Sequence, residues 1–214
     1  MERIKTLLER QESVRWLFYG DSITHGAKHT NGMRDFSEHF RERVIWEMQR
    51  HNDLVLNSAH SGFKTENLLR DFEFRAAAFK PHAAFVMIGT NDSTTVEPDA
   101  FEVQLHELAD KFSALGTQLV LQTPLPVLRN LDASRTRVPE FAEKVRKVAA
   151  ERNLPLIDQF KAWSECPAVF YLHADALHPN GLGHIKIAHD IFKAIGIFET
   201  QNSRVCKFYA PDAL

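Results

Sequence analysis

Four short stretches carry side chains able to do nucleophilic or acid–base chemistry, and most directly follow an apolar run. Gly20-Asp21-Ser22-Ile23-Thr24 is the first, so Ser22 stands where a strand would give way to a loop, open to a small molecule. The bland reading of such a serine is a helix cap or turn residue. The segment is not a G-x-S-x-G elbow, because Thr24 stands where that motif needs glycine. Near the other end, Asp175-Ala176-Leu177-His178-Pro179 puts a carboxylate three residues before an imidazole, in a loop closed by proline and glycine. A carboxylate so placed can fold back onto the Nδ1–H of His178, fix its tautomer and free Nε2 to take a hydroxyl proton. The same stretch also reads as a helix start signalled by Pro179-Asn180, and the two readings are compatible.

The remaining stretches offer hydrogen-bond donors. Asn57-Ser58-Ala59-His60-Ser61-Gly62 contains a glycine whose backbone N–H can approach a ligand closely or simply make a turn. Gly89-Thr90-Asn91-Asp92 contains an asparagine that can aim its amide at a developing oxyanion or end the strand with an Asx-turn. His173, Asp175, His178 and His184 lie close enough in sequence to raise a metal site. None fits H-E-x-x-H and no second cluster supplies further ligands, so neither a metal nor another cofactor is expected. His25 and His60 read as surface or pocket-wall residues.

Positioning these groups requires a scaffold, and the apolar pattern supplies one. Five short β-prone runs recur at Val14–Gly20, Asp53–Ala59, Ala83–Gly89, Gln118–Pro124 and Leu154–Phe160. Near-continuous apolarity over so short a length predicts strands covered on both faces, as in a parallel sheet. Between them lie helical stripes: Phe101, Leu105, Leu108, Phe112 and Leu115; Phe36, Phe40, Val44 and Met48, widened by Ile45; Phe141, Val145 and Val148; and Ile185, Ala188, Ile191 and Ile195. Asn67–Phe79 is a weaker helix. Alternating strand and helix predicts a three-layer α/β/α sandwich around a five-stranded parallel sheet, flavodoxin-like in type. Ligands in such sheets bind beyond the carboxyl ends of the strands, where the polar stretches lie. No repeat or linker divides residues 1–214, so one domain is expected, with a core of about 14–195, an N-terminal helix and a C-terminal tail. The tail after Ile197 reads as packing on the body or mediating subunit contact.

Composition narrows the partners. A formal net charge of −2 with no like-charge run argues against nucleic acid, which needs clustered Lys and Arg. The segment MERIKTLLERQESVRW has no apolar h-region and no 18-residue apolar run exists, so a soluble cytoplasmic protein without membrane insertion is expected. Cys166 and Cys206, with no CxxC spacing, read as two free thiols in a reducing compartment. Nothing in the pattern excludes a homo-oligomer. Neither G-x-x-x-x-G-K-[ST] nor G-x-G-x-x-G occurs, which argues against a nucleotide-binding protein.

Taken in chain order, the four stretches resemble the motif blocks of the SGNH hydrolases, the GDSL-type lipases and esterases. Gly20-Asp21-Ser22-Ile23 is similar to the first block with isoleucine in place of leucine, and Gly62 falls where the second expects glycine. Gly89-Thr90-Asn91-Asp92 is similar to the third, and Asp175 to Pro179 to the D-x-x-H-P block. The likeness runs from residue 14 to about 195. It implies a serine esterase working through an acyl-enzyme, with Ser22 as nucleophile, His178 as base and Asp175 orienting it. It further implies an oxyanion hole made by the backbone N–H groups of Ser22 and Gly62 and the side chain of Asn91, with no cofactor. The family includes carbohydrate acetyl esterases, lysophospholipases and thioesterases, and the fold does not choose among them. The loops His25–Arg34, Ser93–Pro98 and Leu125–Pro139 are mostly polar, which points to a short acyl group such as acetyl on a polar or carbohydrate-like small-molecule ester. Phe36, Leu125 and Leu128 are the candidates for a small acyl pocket. The alternatives are a lysophospholipase- or thioesterase-type acylhydrolase and a non-catalytic binding module on the same fold.

Overall fold

The computed structural model describes residues 1–26, 28–128 and 131–207. Five parallel strands form its centre: β1 (Arg15–Gly20), β2 (Leu54–Asn57), β3 (Ala83–Met87), β4 (Gln118–Gln122) and β5 (Leu156–Ile157). Their spatial order is β2-β1-β3-β4-β5, the doubly wound order in which the chain reverses direction across the sheet between β1 and β3. Among the described residues ten α-helices accompany them: α1 (Glu2–Glu9), α2 (Ser22–His25), α3 (Phe36–Arg41), α4 (Thr65–Arg70), α5 (Phe72–Arg75), α6 (Pro98–Ala114), α7 (Val138–Glu151), α8 (Gln159–Ser164), α9 (Gly181–Ile195) and α10 (Arg204–Lys207).

The period-two alternation of strand side chains divides the core into two layers. Trp16 and Phe18 on β1, with Phe85 on β3, bury against α1, α3 and α9 through Ile4, Phe36, Phe40, Ile187 and Ile191. Leu17 and Tyr19 point the other way, into the layer where α4, α5, α6 and α7 contribute Leu68, Phe72, Phe101, Phe112, Phe141 and Val145. Phe18 lies at the middle of the first layer, stacked on Phe85 at 5.1 Å and meeting Phe36 and Phe40 edge-on. Each such fully buried aromatic contributes roughly 1.5–3 kcal/mol from apolar area. The three-layer α/β/α sandwich expected from the sequence is therefore the fold observed.

Several boundaries differ from the sequence expectation, for identifiable reasons. β1 ends with its run at Gly20, whereas β2, β3, β4 and β5 end two or three residues before theirs, where the chain turns out of the sheet into the loops. β5 shrinks to two residues: Pro155 has no N–H to give, and the Asp158 side chain already caps α8 by accepting from Lys161 N. The stripe from Phe36 to Met48 is one helix in its burial but changes to π-type turns over Glu42–Glu47. The Asn67–Phe79 helix is broken into α4, α5 and a 3₁₀ turn at Ala77–Phe79, the backbone leaving helical angles at Asp71 and Ala76.

The tail packs on the body as far as Cys206. Arg43 donates to Ile197 O at 3.0 and 2.8 Å, Glu47 accepts from Val205 N at 3.0 Å, and Val205 and Cys206 are buried. Residues 208–214 lie outside the described residues. Among the described residues no helix is long and apolar enough to cross a membrane.

Candidate active site

Three chain segments converge at the carboxyl ends of β1, β2 and β3, and each is held by hydrogen bonds that its own sequence provides. Directly after β1, Asp21 caps α2 by accepting from Ile23 N at 3.0 Å, which places Ser22 at the first position of the helix. Gly20 is required there: a Cβ would stand 2.3 Å from Met87 O and 2.7 Å from Thr24 Oγ1. The segment after β2 is laced to β1, with Ser58 N donating to Phe18 O and His60 N to Gly20 O. It then turns at Gly62, whose φ of +84° suits glycine and few other residues. After β3, Asn91 donates through Nδ2 to Phe63 O at 3.0 Å, tying the third segment to the second.

The fourth segment is a closed loop ahead of α9. His173 and Pro179 form an antiparallel bridge, and Ala174 N donates to His178 O at 2.8 Å. Asn180 caps α9 by accepting from Leu182 N and Gly183 N, so the helix-start reading and the chemical reading of this stretch coexist. Within the loop, Asp175 Oδ1 accepts from the backbone of Leu177 at 2.9 Å and of His178 at 2.7 Å. Its Oδ2 faces His178 Nδ1 at 2.8 Å, and His178 Nε2 lies 3.0 Å from Ser22 Oγ. With the Nδ1 proton given to Asp175, Nε2 accepts from the serine hydroxyl. A hydroxyl, an imidazole and a carboxylate so ordered can pass a proton from serine to histidine while the carboxylate supports the charge that forms.

The line ends in an open cavity of about 320 Å³ lined by Ser22, Lys28, His29, Ser61, Gly62, Asn91, Arg135, Leu177 and His178. Among the described residues no hydrogen bond engages the backbone N–H of Ser22 or of Gly62. Four of the five residues singled out from the sequence thus line one cavity, and the fifth, Asp175, stands behind His178. Of the remaining expectations, Phe36 and Leu125 are buried in the core layer with α3 and α9, and neither half-buried Leu128 nor Ser93 to Thr95 line the cavity. The apolar wall is Leu177 instead. Ala27, Arg129 and Asn130, which fall within the expected pocket loops, lie outside the described residues. Lys28, His29 and Arg135 come from the expected pocket loops, whereas sequence reasoning missed Ser61 and Leu177 as lining and a particular role for His29. His25 and His60 are exposed surface residues outside the cavity lining: His25 Nδ1 is 2.9 Å from Ser61 Oγ, and His60 stacks on Phe63.

Electrostatics separate the titratable groups. Burial alone would raise Asp175, but the backbone N–H groups of His178 and Leu177 and the imidazole outweigh it and hold the carboxyl at about 2. It is an anion at any working pH. Asp21, wholly buried beneath Ser22, goes the other way: burial, opposed by the Ile23 N–H and assisted by the Asp92 charge, pushes it up to about 7. His184 lies in the core stacked on Phe36, and burial lowers it to about 3, so it stays neutral. His173 turns its Nδ1 to Val169 O at 2.8 Å, away from the site. His29, Asp175 and His178 do bring ligand atoms within 4.8 Å of one another. The two rings are parallel, however, so their in-plane lone pairs run in separate planes and do not converge on one ion.

The comparisons with known proteins agree with this picture of the fold. A lipase/acylhydrolase from Enterococcus faecalis superposes with a TM-score of 0.75 at 25% identity, covering 85% of this chain and 95% of that one. The acetyl xylan esterase AlAXEase gives a TM-score of 0.75 at 19% identity, over 85% of this chain and all of the other. Axe2, an acetylxylan esterase from Geobacillus stearothermophilus, gives 0.70 at 24% identity, over 86% and 94%. By sequence, an uncharacterized protein of Mycoplasma pneumoniae is 24% identical over 92% of this chain, which spans only 26% of that relative's length. The model of the GDSL-like lipase/acylhydrolase family matches residues 18–185, a stretch that holds Ser22, Gly62, Asn91, Asp175 and His178. The chain belongs to that family, the SGNH hydrolases.

Proposed function

We propose that the chain is a serine carboxylic ester hydrolase, organised as a single domain, that releases short acyl groups from polar small-molecule esters. The observation that carries this is the unbroken line from Ser22 Oγ through His178 to Asp175, at 3.0 and 2.8 Å, opening into a cavity. In the reading we favour, His178 Nε2 takes the Ser22 proton as Oγ attacks the ester carbonyl, and Asp175 stabilises the imidazolium. The tetrahedral oxyanion is held by the backbone N–H groups of Ser22 and Gly62 and by Asn91 Nδ2. His178 then gives its proton to the leaving alcohol, and water repeats the sequence on the acyl-enzyme. No step calls for a metal or organic cofactor.

The preference for a small acyl group is supported by the lining, in which, among the described residues, Leu177 is the one aliphatic side chain beside hydroxyl, amide, imidazole and cationic groups. A long chain needs contiguous apolar cover, since each methylene contributes only about 0.8 kcal/mol. A carbohydrate-like leaving group is our preferred substrate class, in keeping with the acetylxylan esterases of similar fold. A reducing, cytoplasmic setting is supported by Cys166 and Cys206, both free and buried. The test is hydrolysis of p-nitrophenyl acetate and of acetylated oligosaccharides by the wild type and by Ser22→Ala. The reading requires turnover of at least one of them, lost below a tenth in the variant.

A further inference from the structure

His29 reaches the site from the segment between α2 and α3, and no motif marks it. Its ring lies flat on that of His178, with centroids 3.7 Å apart and planes within 6°. Its Nε2 is 3.4 Å from Asp175 Oδ2, the same oxygen that faces His178 Nδ1 at 2.8 Å. One carboxylate oxygen therefore serves two imidazoles. We propose that His29 is a positioning residue for His178, backing its ring on one face and sharing its carboxylate partner. This rests on the reading of His178 as the base for Ser22.

The geometry explains what such a group adds. Hydrogen bonds at Nδ1 and Nε2 fix the His178 ring along the line joining those atoms, but the ring can still tilt about that line. A parallel ring in van der Waals contact removes the tilt, and with it the misalignment of Nε2 toward Ser22. It also covers one side of the Asp175 contact against water. The arrangement works only while His29 is neutral. A proton on His29 would put a cation against the face of a ring that must itself become an imidazolium, and would draw Asp175 Oδ2 toward the wrong partner.

The surroundings keep His29 neutral. Lys28 adjoins it in its own segment, Asp175 and His178 face it from the loop ahead of α9, buried His184 on α9 interacts with it electrostatically, and Arg135 lines the same cavity. Burial, then His178 and then Lys28, holds its pKa below the ordinary imidazole value, with Asp175 opposing. Because one Asp175 oxygen faces both rings, a proton on His29 changes the field at His178, and acid loss of activity includes that proton besides the one that the base itself takes up.

Two variants and two readouts test this. His29→Phe keeps a flat ring but cannot titrate; His29→Ala removes both properties. We expect His29→Ala to lower kcat about tenfold with KM within about twofold, and His29→Phe to recover most of the loss. In both variants the acid limb of kcat/KM falls with one proton, where the wild type falls more steeply. The second readout does not depend on activity. The ring-proton NMR titration of His178, assigned by its loss in His178→Gln, has two steps in the wild type and one in His29→Phe. A wild-type titration with one step, unchanged by His29→Phe, overturns the proposal whether or not an ester substrate has been found. So does an active His29→Ala with wild-type kcat and acid limb. A protein that hydrolyses no ester while its His178 still titrates in two steps supports the His29 coupling and counts against the ester hydrolase reading.

Discussion

Asn91 gives one amide N–H to the backbone carbonyl of Phe63 at 3.0 Å while its side chain lines the cavity beside Ser22. That single bond orients the carboxamide, so its second N–H is aimed without relying on a substrate to order it. Replacing Asn91 by Ala should lower kcat by about 10²–10³, the usual loss for one oxyanion donor, with a smaller change in KM. Steady-state kinetics on p-nitrophenyl acetate check this; a loss confined to KM would place Asn91 in ground-state binding instead.

Glycines 20 and 62 should fail differently when replaced. An alanine Cβ at Gly62 meets nothing within 4 Å, so Gly62→Ala strains only the backbone, at φ +84°, and should cost about 1–2 kcal/mol of stability. On the proposed oxyanion role its larger effect should be kinetic, because the backbone N–H of Gly62 moves. Gly20→Ala drives a methyl against Met87 O and Thr24, so it should cost about 3 kcal/mol through overpacking. Urea denaturation of both variants, read beside their kcat values, distinguishes the two; equal stability losses would contradict the account.

Asp21 sets a pH dependence of stability. Its carboxyl is raised from the ordinary 3.8 to about 7 in the folded protein, so the native state holds a proton that the unfolded chain releases. The associated stability is fully present below about pH 4 and is lost as pH rises toward 7, at up to about 1.4 kcal/mol per pH unit. Asn at this position keeps an acceptor for the Ile23 N–H and does not titrate. The Tm of Asp21→Asn relative to wild type should therefore climb from pH 4 to pH 8. A constant offset across that range would remove Asp21 as the cause.

Acyl length is a separate matter from the chemistry. With Leu177 the one aliphatic side chain among the described lining residues, kcat/KM should fall from p-nitrophenyl acetate to butyrate to octanoate. Octanoate as the best substrate would mean that a groove beyond these residues receives the chain.

Much of this arrangement is legible in the sequence because it depends on short-range pattern. The five strands are visible as runs buried on both faces, and the four motif stretches sit beside them. Asp175 and His178 are readable as a pair because three residues in a closed loop suffice to bring them together. The small β5 and the broken helix after Gly62 were less legible, since Pro155, Asp158 and Asp71 redirect the backbone where apolar spacing alone continues. His29 and Arg135 fall in loops expected near the pocket, but nothing in their spacing from Ser22 or His178 sets them apart from their neighbours, and only the fold brings them to one cavity with Ser61. Phe36 and Leu125 misled for the opposite reason. Their proximity to polar loops suggested a pocket, yet the sheet claims them for its core.

The central claim is that Ser22 is a nucleophile activated by His178, and covalent labelling tests it most directly. A fluorophosphonate reacts with an activated serine hydroxyl without needing the right ester. Intact mass after incubation should show one adduct on the wild type, mapped by peptide digestion to Ser22, and none on Ser22→Ala or His178→Ala over the same time. An unlabelled, folded wild type, or an adduct that persists in Ser22→Ala, would contradict the account.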